Sequence, residues 1–406
     1  MALPRFVRPG GPSLIPALGV TQVFGYGALF YAFTVLAPRM TADFGWAPEW
    51  TFGGFAVGLL LGGAVAPVTG SLIDRYGTRL VMTTGSGLAG LSLFALAEAR
   101  GIVSYTLAMA AVQAVTTAVF YDAAFAALTQ ARGSQARRAI SQLTLIGGFA
   151  STLFWPLTSS LLAFLDWRGV YRLYGLSQIL VCLPLHLFFL PGRVKRPVVA
   201  ETGAAIPSSP QEPETAYLTG DTRRRAFLLL ALALSLQGFV VSAMAVHMLA
   251  LLQGFGLSAA VAVGIGAMLG PSQVAGRLTE MLFGRSVSPV TTAWVSAWLM
   301  PLGLVLLLIG GSLPVVAGLF AIAFGISMGL SSIVRGTVPL QLFGPVGFGA
   351  TMGKLSAPGL VIKATAPLAF AIALERGGVT VSTLLLIAFS ALAAGALMLL
   401  ARGRSA

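Results

Sequence analysis

The sequence predicts an all-α membrane protein of twelve transmembrane helices, and three observations lead there. Hydrophobic residues make up 57% of the chain and charged residues 9%, where a soluble domain carries roughly 45–50% and about 25%. A chain so poor in charge cannot clothe a water-soluble surface of 406 residues, so its solvent is mostly lipid. Twelve apolar runs lie between turn signals, each at or above the length of about 20 residues that crosses a bilayer. One long hydrophilic stretch divides them six and six.

Taken in order, the first-half spans are 13–38, 48–73, 79–98, 101–130, 138–165 and 169–191. The second-half spans are 224–252, 257–283, 288–311, 313–340, 346–374 and 379–401. Two connections are very short and depend on Arg100-Gly101 and on Gly310-Gly311 as breaks. The first run follows Arg5 and Arg8 but is too long for a signal-peptide core and lacks an evident cleavage site, so it reads as a retained helix. Residues 192–223 are rich in Pro, Ser, Glu and Thr and cannot bury a core. They read as a flexible cytoplasmic linker between an N-terminal six-helix bundle over 1–191 and a C-terminal one over 224–406.

The net charge of +13 raises the question of a nucleic-acid partner, and its distribution argues against one. The cations form short clusters between apolar runs and are not interleaved with aromatics on one face. With the N-terminus inside, cytoplasmic segments hold seventeen: Arg5, Arg8, Arg75, Arg79, Arg132, Arg137, Arg138, Arg193, Lys195, Arg196, Arg223, Arg224, Arg225, Arg277, Arg285, Arg402 and Arg404. The opposite side keeps five, Arg39, Arg100, Arg168, Arg172 and Arg376. That asymmetry follows the positive-inside rule and puts both termini in the cytoplasm.

Enzyme chemistry is a poor fit. Two histidines and the single Cys182, which lies in an apolar run, supply neither a nucleophile–base pair nor a metal set. No P-loop occurs, so ATP is not the energy source. A sensor or scaffold built on such a fold would normally append a soluble signalling domain, and none is evident.

The most informative stretch is Gly70 to Arg79, a charged turn between the second and third runs: Gly-Ser-Leu-Ile-Asp-Arg-Tyr-Gly-Thr-Arg. It resembles the signature loop of the major facilitator superfamily, G-x-x-x-D-R-x-G-R-[KR]. Gly70, Asp74, Arg75, Gly77 and Arg79 match, while Thr78 stands where the family usually has arginine. The spacing of Gly70, Asp74 and Arg79 recurs after the eighth run as Gly276, Glu280 and Arg285, with Phe283 replacing the glycine at Gly77. Asp166-Trp167-Arg168 before the sixth run is a further common superfamily sequence.

The resemblance, to the bacterial twelve-helix type, implies two pseudo-symmetric six-helix bundles rocking about a mid-membrane site. It implies a monomer in the bacterial cytoplasmic (inner) membrane with a small-molecule substrate, surrounded by lipid, and no cofactor beyond an ion gradient, most simply protons. It also implies a gate: the Asp74 carboxylate would accept from free N–H groups at the start of the eleventh helix, near Gly347. Gly70 and Gly77 would permit the close approach and the tight turn, and Arg75 and Arg79 would hold the acid and anchor to phosphates. Otherwise the loop is a solvated positive-inside turn.

Ionisable residues inside spans are costly, and each is a functional candidate. Asp122, after Tyr121 on the fourth span, is either a proton-coupling carboxylate or a strut pairing with Arg79 or Arg75. Arg335 on the tenth must find an anion: a substrate carboxylate or phosphate, Asp122 across the halves, or headgroups by snorkelling. Lys363 is the deeper cavity candidate on the eleventh span; Lys354, half a turn out of phase, lies nearer the end. His247 on the seventh shuttles protons, binds substrate or is a satisfied structural residue. Gln22 and Tyr26 share one face of the first helix, Tyr31 belongs to the cavity or to the outer aromatic belt, and Gln237 and Gln113 are similar polar candidates.

The fifth run lacks the glycine- and proline-rich signature of drug antiporters, having Trp155 before Pro156 and no following glycine pair. An interior with Arg335, Lys354 and Lys363 against Asp122 suits a small organic anion such as a monocarboxylate. The alternative is proton-driven efflux of a drug or small toxic solute such as a metalloid, although one lone cysteine does not favour a thiol-seeking arsenical.

Overall fold

The computed structural model describes residues 11, 13–192, 217–284 and 287–402. Arg285, both basic residues of the N-terminal tail and most of the expected linker lie outside them. Among the described residues every regular element is helical. Ten helical stretches are long and apolar enough to cross a membrane, and many leucines and valines on their outer faces are exposed, as lipid-facing positions are.

The chain begins with α1 (Leu14–Tyr26), a π turn at Gly27–Tyr31 and α2 (Ala32–Phe44), one continuous rod. Next come α3 (Pro48–Tyr76) and α4 (Thr78–Ala97), separated only by Gly77. Then α5 (Ile102–Val119), α6 (Tyr121–Arg132), α7 (Ala136–Gly147) and α8 (Ala150–Leu161) follow. A rod formed by α9 (Trp167–Ser177), a second π turn and α10 (Leu183–Phe189) closes the first half. Beyond the gap lie α11 (Gly220–Gly254), α12 (Ala259–Ala267), α13 (Leu269–Phe283), α14 (Pro289–Gly310), α15 (Pro314–Phe343) and α16 (Phe348–Arg402).

Two stretches are too long for one crossing. Residues Ile102–Leu161 span 60 residues and Phe348–Ala401 span 54, roughly 80–90 Å at 1.5 Å per residue against a hydrocarbon core of about 30 Å. The first is broken at Gly133, φ +57°. The second is broken at Gly378, φ +68°, ψ −175°. Both lie at the expected span divisions, where a backbone that only glycine adopts easily turns the chain. Arg100-Gly101 and Gly310-Gly311 also fall at helix ends.

Other interruptions fall inside expected spans and position side chains. The π turn at Gly27–Tyr31 rotates Tyr31 relative to Tyr26, and such bulges often mark functional sites. Phe120 is extended (φ −82°, ψ −172°) and separates α5 from α6. It makes Asp122 a first-turn residue of α6, where the helix dipole favours negative charge.

Asp166-Trp167-Arg168 acts as a clip. Asp166 Oδ1 caps α9 by accepting from Gly169 N at 2.7 Å. Arg168 donates to the carbonyls of Ala97 and Ala99, at 2.8 and 2.6 Å, past the end of α4. Trp167 Nε1 and Arg168 Nη2 both donate to Asp43.

Of the four apolar clusters, one lies wholly within residues before the gap and two wholly after it. The fourth joins Leu14, Ile73 and Phe125 with Leu340, Phe348 and Met352. The halves therefore meet at the end carrying the signature loop.

Candidate functional site

At that end, Asp74 Oδ1 accepts from Gly349 N at 3.0 Å and Oδ2 from Ala350 N at 2.7 Å. These are first-turn amides of α16, which have no partner within their own helix. The approach is nearly backbone to backbone: a Cβ on Gly349 would lie 2.7 Å from the Gly70 carbonyl oxygen, and one on Gly70 would collide with Gly349. Gly77 takes φ +85°. Thr78 has a use of its own. Its N and Oγ1 both donate to Gln130 Oε1, at 3.1 and 2.9 Å, while Gln130 Nε2 donates to the Ile73 carbonyl, so α6 sets the turn. Among the described residues Asp74 is in no ion pair with Arg75 or Arg79. Arg75 lies beside the Tyr76 ring instead, so backbone amides, not arginines, hold the acid.

The second copy also crosses between the halves. Glu280 on α13 pairs with Arg137 at 3.2 Å and accepts from Ser141 Oγ at 2.6 Å, both on α7. Arg137 Nη2 donates further to the Gly284 carbonyl at 2.7 Å. Gly276 does not follow the pattern, because it packs against Ile326 of α15 in its own half. Arg285 lies outside the described residues.

Deeper in, Asp122 of α6 faces Arg335 of α15. Arg335 Nε donates to Oδ1 at 2.9 Å and Nη2 to Oδ2 at 2.8 Å, a bidentate pair. Ser356 of α16 completes a triangle, its Oγ donating to Asp122 Oδ2 at 2.5 Å and lying 2.9 Å from Arg335 Nη2. Of the partners the sequence leaves open for Asp122, this excludes Arg75 and Arg79 in this state. Lys363 lines a cavity with Arg335, Ser356 and Gly359 and belongs to no ion pair among the described residues. Pro367, which has no N–H, leaves the Lys363 carbonyl without its helical donor; Ser242 Oγ supplies one at 2.9 Å. Lys354 is exposed.

Tyr26 stacks on Phe120 with centroids 3.9 Å apart and lies 4.8 Å from the Tyr121 ring. Tyr121 stacks on Phe125, and Tyr31 meets Trp155 edge-on at 5.8 Å. This aromatic wall runs beside the Asp122–Arg335 pair. Four polar candidates turn out to be packed or bonded within the framework. Gln22 is fully buried and donates to the Val119 carbonyl at 2.8 Å, satisfying a group freed by the break at Phe120. Gln237 is buried and accepts from Ser331 at 3.4 Å. His247 Nε2 meets the Pro367 carbonyl at 2.9 Å, tying α11 to α16. Gln113 is buried against Gly58.

Two residues escaped the sequence reading. His186, fully buried, links α10 to Ser86 and Thr21 at 2.8 and 3.0 Å. Arg277, which the charge count assigns to a cytoplasmic segment, is instead buried between the halves at 7% exposure. It donates to Ser332 Oγ and lies opposite Gly148 of the first half. The only available signal was position: Arg277 precedes Glu280 by about one turn and so lies inside the eighth run.

A family model described as Major Facilitator Superfamily matches residues 18–356. The chain belongs to this superfamily. Among solved structures, the human organic anion transporter MFSD10 (TETRAN) is similar at TM-score 0.73 and 16% identity, over 95% of this chain and 98% of that one. The proton:xylose symporter XylE bound to 6-bromo-6-deoxy-D-glucose aligns at TM-score 0.70 and 11% identity, over 94% of each chain. FucP in the outward conformation aligns at 0.65 and 13%, over 95% of this chain and 98% of that one. These likenesses show the fold. No curated protein matches the chain. The protein is an integral membrane transporter of the secondary kind, not an enzyme.

Proposed function

We propose that this transporter carries a small organic anion, such as a monocarboxylate, in a proton-coupled alternating-access cycle. The supporting observation is the interior charge set. Arg277, Arg335 and Lys363 stand against Asp122 and Glu280, of which Asp122 is already bound by Arg335 and Glu280 by Arg137 across the two halves. Protonating Asp122 removes the charge that both guanidinium bonds depend on. That frees Arg335 and weakens a strut that must open when the halves separate, so proton binding and anion binding are linked. By the positive-inside rule the end carrying Asp74 faces the cytoplasm, which makes the contacts there an inner gate, here closed. The fold is shared with an organic anion transporter; the cargo reading rests on the side chains.

Proteoliposomes with an imposed pH gradient test this. Radiolabelled benzoate should accumulate and internal pH should move with it. Asp122→Asn should abolish gradient-driven accumulation and spare benzoate counterflow, because exchange needs no net proton transfer. If neither benzoate nor other small carboxylates accumulate or alter internal pH, the anion reading is wrong. Equal loss of accumulation and counterflow would make Asp122 a strut and not the coupling acid.

A further inference from the structure

Arg277 carries an interior charge that the protein itself does not neutralise. It is 7% exposed and belongs to none of the four ion pairs among the described residues. Its Nε donates to Ser332 Oγ at 3.1 Å and its Nη2 reaches Gln273 Oε1 at 3.4 Å, both neutral acceptors. Nη1 makes no hydrogen bond among the described residues. It lies against Gly148, where α7 gives way to α8 and where any Cβ would collide with it. The acid one turn along α13, Glu280, is occupied by Arg137 and Ser141.

A guanidinium cannot shed its proton, and a buried charge without a counter-ion is costly. Two bonds to neutral oxygens solvate it without neutralising it. The Tyr121 hydroxyl lies against Gly147, next to Gly148, and the Tyr31 hydroxyl meets Ser151 just beyond it. Beyond Tyr31 lies Trp155, 47% exposed. Arg335 offers no such vacancy, since Asp122 and Ser356 take its fork.

We propose that Arg277 is the anion-binding residue of the transport cavity, taking a substrate carboxylate on its Nη edge while the substrate's apolar body lies against Tyr31 and Trp155. The proposal rests on the organic-anion reading above and deepens it, because it assigns the first anion contact to Arg277 while Arg335 still holds Asp122. The absent side chain at Gly148 is part of the site, since it leaves the room that Nη1 occupies.

Equilibrium binding of radiolabelled benzoate to the full-length protein in detergent tests this without any gradient. Binding should weaken at least about tenfold in Arg277→Gln, which loses the charge, and in Gly148→Ala, which keeps it but crowds Nη1. Arg277→Lys, which keeps charge without the fork, should fall between. Inorganic phosphate should compete poorly, because it lacks an apolar body. Wild-type protein that binds no benzoate, or Arg277→Gln that binds it as wild type does, overturns the proposal. So does phosphate displacing benzoate as well as unlabelled benzoate does. If Arg277→Gln fails to fold, Gly148→Ala and Arg277→Lys decide by the same measure. Arg277-dependent binding without transport would keep this site and sink the transport reading; transport indifferent to Arg277→Gln would do the reverse.

Discussion

Asp122 and Arg335 are the residues at which gating and coupling meet. Each is partly buried, with side-chain exposures of 22% and 30%, so neither charge is comfortable alone. Removing one partner of such a pair costs about 3–5 kcal/mol, whereas replacing both with apolar groups is often neutral. Asp122→Ala should therefore lower the unfolding temperature in detergent, and Asp122→Ala with Arg335→Met should recover most of the loss while remaining inactive in uptake. A double variant no more stable than the single would show that the pair is not a coupled unit. Arg335→Lys separates the roles of the fork further. Lysine keeps the charge but cannot bond both carboxylate oxygens in plane, so uptake should fall roughly tenfold or more while the protein still folds; full activity would count against the bidentate geometry.

At the scale of elements, the halves touch where glycines allow it. α3 packs on α16 along Gly63, Ala66 and Gly70, facing Ala357, Gly353 and Gly349. Backbone this close is accessible only without side chains, and small residues are the usual means of helix contact in lipid. Gly349→Ala would place a methyl 2.7 Å from the Gly70 carbonyl oxygen and 2.9 Å from Asp74 Oδ1, forcing apart both the packing and the clasp. Overpacking of this kind typically costs about 1–3 kcal/mol. Gly395→Ala, with nothing within 4 Å of the added methyl, is the control. Thermal unfolding of the two variants should differ; equal behaviour would mean that the α3–α16 contact contributes little.

At the scale of the whole molecule, two acids related by the sequence repeat hold the halves together by different chemistry. Asp74 uses the amides at the start of α16, and Glu280 uses a cation and a hydroxyl of α7. Neutralising both with Asp74→Asn and Glu280→Gln should move the population toward a conformation open at this end. Spin labels on cysteines at the exposed positions Tyr76 and Val346 report the separation, and Cys182 is buried. The double variant should show a longer mean distance than the parent. An unchanged distribution would mean that these clasps do not hold the end shut.

The sequence alone determined the solvent, the helical class, the places where the chain turns and the loop that names the family. These properties are local. Bilayer thickness sets run length, glycine sets the turns at Gly77, Gly133 and Gly378, and clustered cations mark where spans end. The partner of Asp74 was also legible, through family resemblance and the unpaired amides at a helix start. Tertiary structure decided the rest, because it concerns pairs far apart in the chain. Arg277 looks like one more arginine near a span end, and only packing against Gly148 buries it. Gln22 and His247 look like cavity residues, yet one meets the carbonyl freed by the helix break at Phe120 and the other a carbonyl of the neighbouring α16. Asp122 had two candidate partners among the loop arginines and one in Arg335, and the choice was made by the fold that brings α6 against α15.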